Sequence, residues 1–104
     1  MSLFKMTTAG RARFIVSQIY ASFPDQPEWR FITGVAEEAG EVVGAYNRFT
    51  GTSRRTGTED ELAKELADTV FTAYMAADVL GIDLQKALDE KYAILTTRGW
   101  KQGR

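Results

Sequence analysis

Two pairs of acidic residues are the part of this sequence best suited to chemistry. Glu38 and Glu41 form one pair and Glu65 and Asp68 form the other, and the members of each pair are three positions apart. On an α-helix this spacing places both carboxylates on one face, about one turn apart. On antiparallel neighbouring helices the four carboxylates can converge, and their repulsion then requires cations between them. Ligation by oxygen alone favours magnesium, with manganese as a second choice.

Most acidic pairs on helices are solvated surface, so their position relative to the apolar residues decides the interpretation. Glu38 lies in the middle of the apolar stripe of its expected helix, and Glu41 lies at the edge of that stripe. Glu65 and Asp68 share a stripe that becomes apolar farther along their own helix. Carboxylates at positions suited to apolar side chains are costly unless they are paired or bound to a metal. The pattern therefore favours a metal site, and it gives the third helix two faces suited to burial, as in a bundle core or a subunit interface.

The composition excludes several other kinds of site. The chain contains no histidine and no cysteine. This excludes Ser-His and Cys-His catalytic pairs, nearly every zinc site, and the di-iron bundle motif that pairs Glu with His. The lack of cysteine suits the cytoplasm. With 13 basic and 14 acidic residues, the net charge of -1 gives no support to a nucleic-acid or membrane-surface partner.

Four helices are expected to position the carboxylates, since no segment shows the sustained alternation of a half-buried strand. They run from about Ala9 to Phe23, from about Pro27 to Phe49, from Thr58 to Leu80, and from Asp83 to about Arg98. Their short connections favour an all-α, four-helix bundle-like fold in a single domain, residues 1–104. Residues 1–7 are expected to lie outside the helices, and Met6 offers an alternative start.

Caps and apolar stripes support this division. Asp25 with Glu28 predicts the start of the second helix, Thr58 with Glu61 a capping box for the third, Gly81 the end of the third, and Asp83 the cap of the fourth. The expected inward residues are Phe14, Ile15, Ile19, Tyr20 and Phe23, then Phe31, Val35, Val42, Ala45 and Phe49, then Leu62, Leu66, Val70, Ala73, Ala77 and Leu80, and finally Leu84, Leu88 and Leu95.

The acidic motif also carries a resemblance to a known family. The pattern Glu37-Glu38-x-x-Glu41 followed by Glu65-x-x-Asp68 resembles the signature of MazG-like proteins in the all-α nucleoside triphosphate pyrophosphohydrolase superfamily. The surrounding segments, GVAEEAGE and ELADTV, are similar to family sequence as well. The resemblance covers roughly residues 28–100. It implies a MazG-type helical fold that assembles into a homodimer or homotetramer, with helices of two subunits shaping each active site.

Members of this superfamily hydrolyse nucleoside triphosphates, often deoxy or damaged ones, to the monophosphate and pyrophosphate. The resemblance implies that Glu38, Glu41, Glu65 and Asp68 bind Mg²⁺, and that Glu37 completes the site or orients water. The metal would neutralise the phosphates and acidify a bound water, which would attack the α-phosphorus. Two alternatives stay open: a phosphoribosyl-ATP pyrophosphohydrolase, with the same chemistry on another substrate, and a non-enzymatic helical interaction module.

Phosphate recognition also needs cations from the protein. The candidates are Arg54 and Arg55 in the loop between the acidic helices, Lys64, Lys91 and Arg98. Lys91 and Arg98, together with Trp100, resemble the Lys, Arg and Trp that recur near the end of related chains. The asparagine found in the final helix of some relatives has no clear counterpart here.

The nucleotide base must be stacked or enclosed. Trp29, Phe31, Phe14 and Tyr46 are the candidate aromatic residues. An aromatic residue at helical spacing belongs to a core more often than to a ligand site. Trp29 is the exception, because it lies opposite the stripe that contains Glu38 and is expected to face substrate, a partner subunit or solvent.

Overall fold

The computed structural model describes residues 6–98 and shows four α-helices in them. They are α1 (Thr8–Ser22), α2 (Glu28–Thr50), α3 (Glu59–Leu80) and α4 (Leu84–Arg98). No strand occurs in this part of the chain, so the predicted all-α fold is confirmed and the helices begin and end close to the expected positions. Trp100 and residues 1–5 lie outside the described residues.

Three of the helix termini are stabilised as the sequence predicts. The Thr58 side chain accepts a hydrogen bond from the Glu61 amide at 3.2 Å and caps α3. Gly81 ends α3 in the left-handed conformation, with φ of 69°, and the following Ile82 amide donates to the Ala77 carbonyl at 2.9 Å. The carboxylate of Asp83 then accepts from the Lys86 amide at 3.0 Å and caps α4.

The predicted start of α2 is wrong in detail. Pro27 is the N-cap residue, and no side chain caps this helix. The Gln26 amide donates to the Phe23 carbonyl at 3.0 Å, so Asp25 is held in the preceding turn and lies too early in the chain to cap Glu28. Pro27 suits its position because its φ of -74° is fixed by the ring and no amide hydrogen is left unpaired there.

The core lies where α1, α2 and α3 meet. Val16, Phe31 and Ala76 are buried at its centre, with the Phe31 and Tyr20 rings 5.6 Å apart. The partly buried residues that pack around them are Ile19, Tyr20, Val35, Met75 and Val79. Met75 and Val79 belong to the stripe of α3 that begins with the acidic pair, so the face of α3 that packs on its neighbours is the face that carries the carboxylates.

Several residues that were expected to be inward are exposed. Leu66 and Val70 are each 51% exposed, although Ala77, farther along the same stripe of α3, is buried. Leu88 of α4 is 47% exposed, and α4 has no buried residue at all. The others are Phe14, Ile15, Phe23, Phe49 and Leu80.

Helix α4 makes few contacts with the other three helices, whereas α3 packs closely on α2 and α1. The radius of gyration is 16.3 Å, against about 13 Å expected for a compact domain of about 100 residues. Many apolar side chains therefore remain in contact with water in the single chain. None of the described helices combines the length and the apolar character that crossing a bilayer requires.

Candidate metal centre

Three of the predicted carboxylates converge between α2 and α3. One carboxylate oxygen from each of Glu38, Glu65 and Asp68 lies within 4.8 Å of the other two. Glu38 and Glu65 are half-buried, and Asp68 is exposed. We refer to these three residues as the carboxylate cluster.

The α2–α3 hairpin brings the cluster together. Beyond the left-handed Gly51, the loop returns to the end of α2, where the Gly57 amide donates to the Arg48 carbonyl at 3.1 Å. Helix α3 therefore runs back along α2 with its acidic pair facing Glu38. The spacing within that pair places both side chains one turn apart on the same face.

No protein cation or hydrogen-bond donor neutralises the cluster within residues 6–98: the ion pairs and side-chain hydrogen bonds described there involve other carboxylates. The pKa of Glu38 is raised above its ordinary value, first because the carboxylate is partly removed from water. The negative charges of Asp68 and Glu65 raise the pKa of Glu38 further. A bound cation would reverse this electrostatic effect.

The donor set fits a hard divalent cation. Oxygens bound to one Mg²⁺ lie about 2.9–4.2 Å apart, since each Mg–O bond is about 2.1 Å. The oxygens of the cluster, all within 4.8 Å of one another, lie close to this spacing. Carboxylate oxygen is also the ligand type that Mg²⁺ and Mn²⁺ prefer.

Glu41 and Glu37 border the cluster without belonging to it. Both side chains are exposed, and both charges contribute to the raised pKa of Glu38, after those of Asp68 and Glu65. Glu37 is rotated about 100° from Glu38 around α2, and Glu41 lies at the edge of the inward stripe. Their roles as metal ligand and water-orienting residue stay predictions.

The profile of the phosphoribosyl-ATP pyrophosphohydrolase family matches residues 16–91. The chain belongs to this family. The match extends from the middle of α1 to the middle of α4 and includes both acidic pairs. Because the family lies within the MazG-like, all-α pyrophosphohydrolase superfamily, the resemblance carried by the motif is confirmed. No curated protein and no solved structure gives a significant match.

Members of the phosphoribosyl-ATP pyrophosphohydrolase family hydrolyse a pyrophosphate bond and are in general metal-dependent. The carboxylate cluster lies inside the matched segment and supplies the oxygen ligands that such chemistry uses. Lys91 is the last matched residue, whereas Arg98 lies beyond the match.

The structure does not bring the candidate phosphate-binding cations into the cluster. Arg54 and Arg55 are exposed in the α2–α3 loop, and Lys91 and Arg98 are exposed on α4. None of these four side chains forms an ion pair with an acidic residue among residues 6–98. Their guanidinium and ammonium groups therefore remain available for phosphate.

Lys64 behaves differently from those four cations. Its ammonium group binds the Asp60 carboxylate at 2.9 Å, one turn earlier in α3. This hydrogen bond, with the negative charge of Asp60, raises the pKa of Lys64. The side chain is directed toward its own helix, where Asp60 already neutralises part of its charge.

The aromatic candidates divide into one core residue and three exposed ones. Phe31 is buried in the core, as its place in the apolar stripe predicts, so its ring is not available to stack on a base. Trp29 is 59% exposed, and the Arg30 guanidinium lies 5.6 Å from the centre of its ring. Trp29 lines a hollow of about 450 Å³ at the α1–α2 turn, about 13 Å along α2 from Glu38. Phe14 and Tyr46 are exposed.

Sequence reasoning missed two threonines beside the acidic pair. The Thr69 hydroxyl donates to the Glu65 carbonyl at 2.9 Å, and the Thr72 hydroxyl donates to the Asp68 carbonyl at 2.7 Å. The available signal was a threonine four residues after each acidic residue of α3. Such bonds satisfy the hydroxyl within its own helix and fix the direction of the side chain.

Proposed function

We propose that this pyrophosphohydrolase binds Mg²⁺, or Mn²⁺, at the carboxylate cluster and releases pyrophosphate from a nucleoside triphosphate, such as a deoxy or modified nucleotide. The observation that carries the proposal is the convergence of three carboxylate oxygens within 4.8 Å. Half-burial of Glu38 and Glu65 without a protein cation makes this arrangement unfavourable unless a metal ion neutralises it.

The residues of the cluster hold the cation and fix its position against the triphosphate. When bound, such a cation neutralises phosphate charge and acidifies water. Glu38 approaches from α2, and Glu65 and Asp68 approach from α3, so the hairpin fixes the geometry from two sides. Glu41 extends this ligand set, and Glu37 orients the attacking water.

The bond changes follow from the position of the water. Its oxygen forms a bond to the α-phosphorus, and the bond from that phosphorus to the oxygen bridging the α- and β-phosphates breaks. Pyrophosphate leaves with the electron pair, and one proton of the water passes to a neighbouring carboxylate. Glu37 and Glu41 suit this transfer because both are exposed beside Glu38.

Phosphoribosyl-ATP is the second candidate substrate. The family match over residues 16–91 supports it directly. It carries the same 5′-triphosphate as ATP, and the reaction breaks the same bond. It differs by an additional ribose phosphate on the adenine, so its recognition needs further cations distant from the metal. Arg54, Arg55, Lys91 and Arg98 are the candidates for that contact.

We also propose that the chain functions as a homodimer or homotetramer. The exposed stripe of α3 through Leu66 and Val70 and the weakly packed α4 support this proposal. A second copy that covers these apolar faces would also place a second set of cations and aromatic residues near each cluster. The interaction-module alternative would share the assembly and lack turnover.

The test is pyrophosphate release from a panel of canonical, deoxy and modified nucleoside triphosphates and phosphoribosyl-ATP, with Mg²⁺ and with EDTA. Magnesium-dependent release of pyrophosphate, rather than orthophosphate, from one of the nucleoside triphosphates is the expected result. Release from phosphoribosyl-ATP alone would replace the proposed substrate with the second candidate. A folded protein that binds Mg²⁺ and hydrolyses none of these compounds would support the interaction module.

A further inference from the structure

One close contact between α2 and α3 lies beside the carboxylate cluster. A Cβ atom added to Gly34 would lie 3.3 Å from Cγ2 of Thr72, and no other neighbouring atom would lie within 4 Å of it. This is tighter than ordinary van der Waals contact, so any side chain at position 34 would press on Thr72. Both residues are half-buried.

The contact and the cluster share the same helix faces. Gly34 precedes Glu38 by four residues, and Thr72 follows Asp68 by four. Because the two helices are antiparallel, both steps move one turn in the same direction along the hairpin. The Gly34–Thr72 contact is therefore the nearest level of helix packing to Glu38 and Asp68 on that side.

Thr72 is held in the orientation that creates the contact. Its hydroxyl donates to the Asp68 carbonyl at 2.7 Å, within its own helix. Because χ1 of a β-branched residue is stiff, this bond fixes the other branch, and Cγ2 is the atom that meets α2 at Gly34. Thr72 thus presents an apolar methyl group to a glycine while remaining bonded to the main chain of a cluster residue.

We propose that Gly34 and Thr72 are positioning residues that set the separation of α2 and α3 at the metal centre. The inference rests on the proposed metal-binding function of the cluster. The glycine allows the backbone of α2 to approach the Thr72 methyl group closely, and this approach lets Glu38 reach Glu65 and Asp68. Packed helices transmit a displacement of a few tenths of an ångström from this contact to the neighbouring turn.

The proposal predicts a change in ion selectivity as well as in affinity. Mg²⁺ requires nearly ideal geometry with bonds of about 2.0–2.1 Å, whereas Ca²⁺ accepts bonds of about 2.3–2.6 Å in flexible arrangements. Moving α2 away from α3 lengthens the distance from Glu38 to the acidic pair of α3. A wider cluster therefore loses Mg²⁺ affinity more than Ca²⁺ affinity. A general loss of stability would not produce this difference.

The experiment measures Mg²⁺ and Ca²⁺ dissociation constants by isothermal titration calorimetry, together with the melting temperature of each metal-free protein. Gly34→Ala should weaken Mg²⁺ binding roughly tenfold, the size typical of losing a residue that orients a metal ligand. Ca²⁺ binding should change by less than about threefold, in accord with the tolerance of that ion. The melting temperature should not fall, because alanine favours a helix more than glycine does.

Two further variants separate the contact from other effects of the substitution. Thr72→Ser removes the methyl group and keeps the hydroxyl, so Gly34→Ala with Thr72→Ser should restore Mg²⁺ binding to within about twofold of the unmodified protein, the scatter expected of a neutral change. Gly40→Ala is the matched control, because it is the same substitution in the same helix with no atom within 4 Å of the added Cβ. It should leave both dissociation constants unchanged.

Unchanged Mg²⁺ binding in Gly34→Ala would overturn the proposal, as would a loss that Thr72→Ser does not relieve. If Gly34→Ala does not fold, Thr72→Ser alone removes the methyl group from the same contact, and unaltered ion selectivity in that variant would overturn the proposal equally. A natural-sequence protein that binds neither ion would instead refute the metal-binding function itself, so the two failures are distinguishable.

Discussion

Helices α3 and α4 follow each other in the chain but differ in how they are supported. Helix α3 buries Tyr74, Ala76 and Ala77 against its neighbours, whereas α4 buries no residue. Both have a side-chain N-cap, Thr58 for α3 and Asp83 for α4. Local signals are therefore sufficient to define either helix, but α3 gains more stability from packing than α4, whose Leu84 and Leu95 are half-buried. Because an isolated helix of about 15 residues is marginal in water, we expect α4 to gain a further packing surface in an assembly.

The two regions are also expected to have different functions, metal binding in the α2–α3 hairpin and substrate binding on α4. The supported hairpin of α2 and α3 fixes the carboxylates, which a metal site needs within a fraction of an ångström. The weakly packed α4 carries Lys91 and Arg98, and its exposed apolar residues include Tyr92 at 70% exposure. We therefore expect α4 to find its place against a second copy and to contribute to substrate binding only in that assembly.

The largest effect should be a loss of turnover when a residue of the carboxylate cluster on α3 is changed. Asp68→Asn removes one of the cluster's charges and should lower magnesium-dependent turnover at least roughly a hundredfold, because losing a ligand costs more than losing the residue that orients one. The fold should survive, since Asp68 is exposed and not part of the core. Pyrophosphate release is the measurement. Asp60→Asn on the same helix is the control, and full activity in Asp68→Asn would refute the metal assignment.

The next effect concerns the association of α4 with the second copy proposed to cover it. Tyr92→Asp would bury a charge in the proposed interface and should raise the dissociation constant of the homo-oligomer by about a hundredfold or more. Light scattering after size-exclusion chromatography, over a range of protein concentrations, measures the mass. Glu90→Gln is the control on the same helix, whose exposed side chain makes only a long ion pair with Lys86 at 3.8 Å. An unchanged mass for Tyr92→Asp would show that α4 is not covered by a second copy.

A substitution at Gly81, in the turn between α3 and α4, should have a smaller effect, on the free energy of unfolding. Gly81 has a φ of 69°, a conformation that costs other residues about 1–2 kcal/mol. Gly81→Ala should lower the free energy of unfolding by about that amount, measured by urea denaturation. Gly40→Ala, in the interior of α2, should instead raise it by up to about 1 kcal/mol. Equal effects from the two substitutions would contradict the role assigned to the Gly81 conformation.

The smallest effect is the electrostatic contribution of Glu38 to the stability of the metal-free protein. Glu38 has a raised pKa in the folded protein, so folding is favoured when it is protonated, and this contribution is lost as the pH rises above the ordinary value of 4.5 and through the folded pKa. In EDTA at pH 7, Glu38→Gln should therefore be more stable than the natural sequence, by up to about 0.5 kcal/mol. The difference should vanish near pH 4, below the ordinary pKa.

Urea denaturation at both pH values, with and without Mg²⁺, measures this effect. Mg²⁺ should stabilise only the protein that retains Glu38. A Glu38→Gln variant that is less stable in EDTA at pH 7, or that gains stability from Mg²⁺ like the natural sequence, would contradict the electrostatic account.

Local patterns predicted the features that depend on local interactions. The ends of α3 follow from Thr58 and Gly81, whose hydrogen bonds are made within a few residues. The convergence of Glu38 with the acidic pair of α3 also followed from spacing, because the short connection between α2 and α3 requires antiparallel neighbours. The Asp25 cap was wrong because Gln26 and Phe23 close a turn that the pattern did not reveal.

Features that depend on distant packing were not predictable in the same way. Helix α3 has two apolar stripes, and its sequence favoured the one through Leu66 and Val70. The structure packs the other one, through Met75 and Val79, around the core on the face where the acidic pair meets Glu38, and of the first stripe it fully buries only Ala77. The Gly34–Thr72 contact was equally hidden, since its significance appears only when two helices lie side by side.

The most direct test of the metal centre is anomalous scattering from a crystal of the protein grown with Mn²⁺. We expect a peak between α2 and α3, within about 2.1 Å of carboxylate oxygens from Glu38, Glu65 and Asp68, the distance typical of a small divalent cation. A peak bound only by other residues, or no peak at the cluster in a protein that hydrolyses its substrate, would contradict the account.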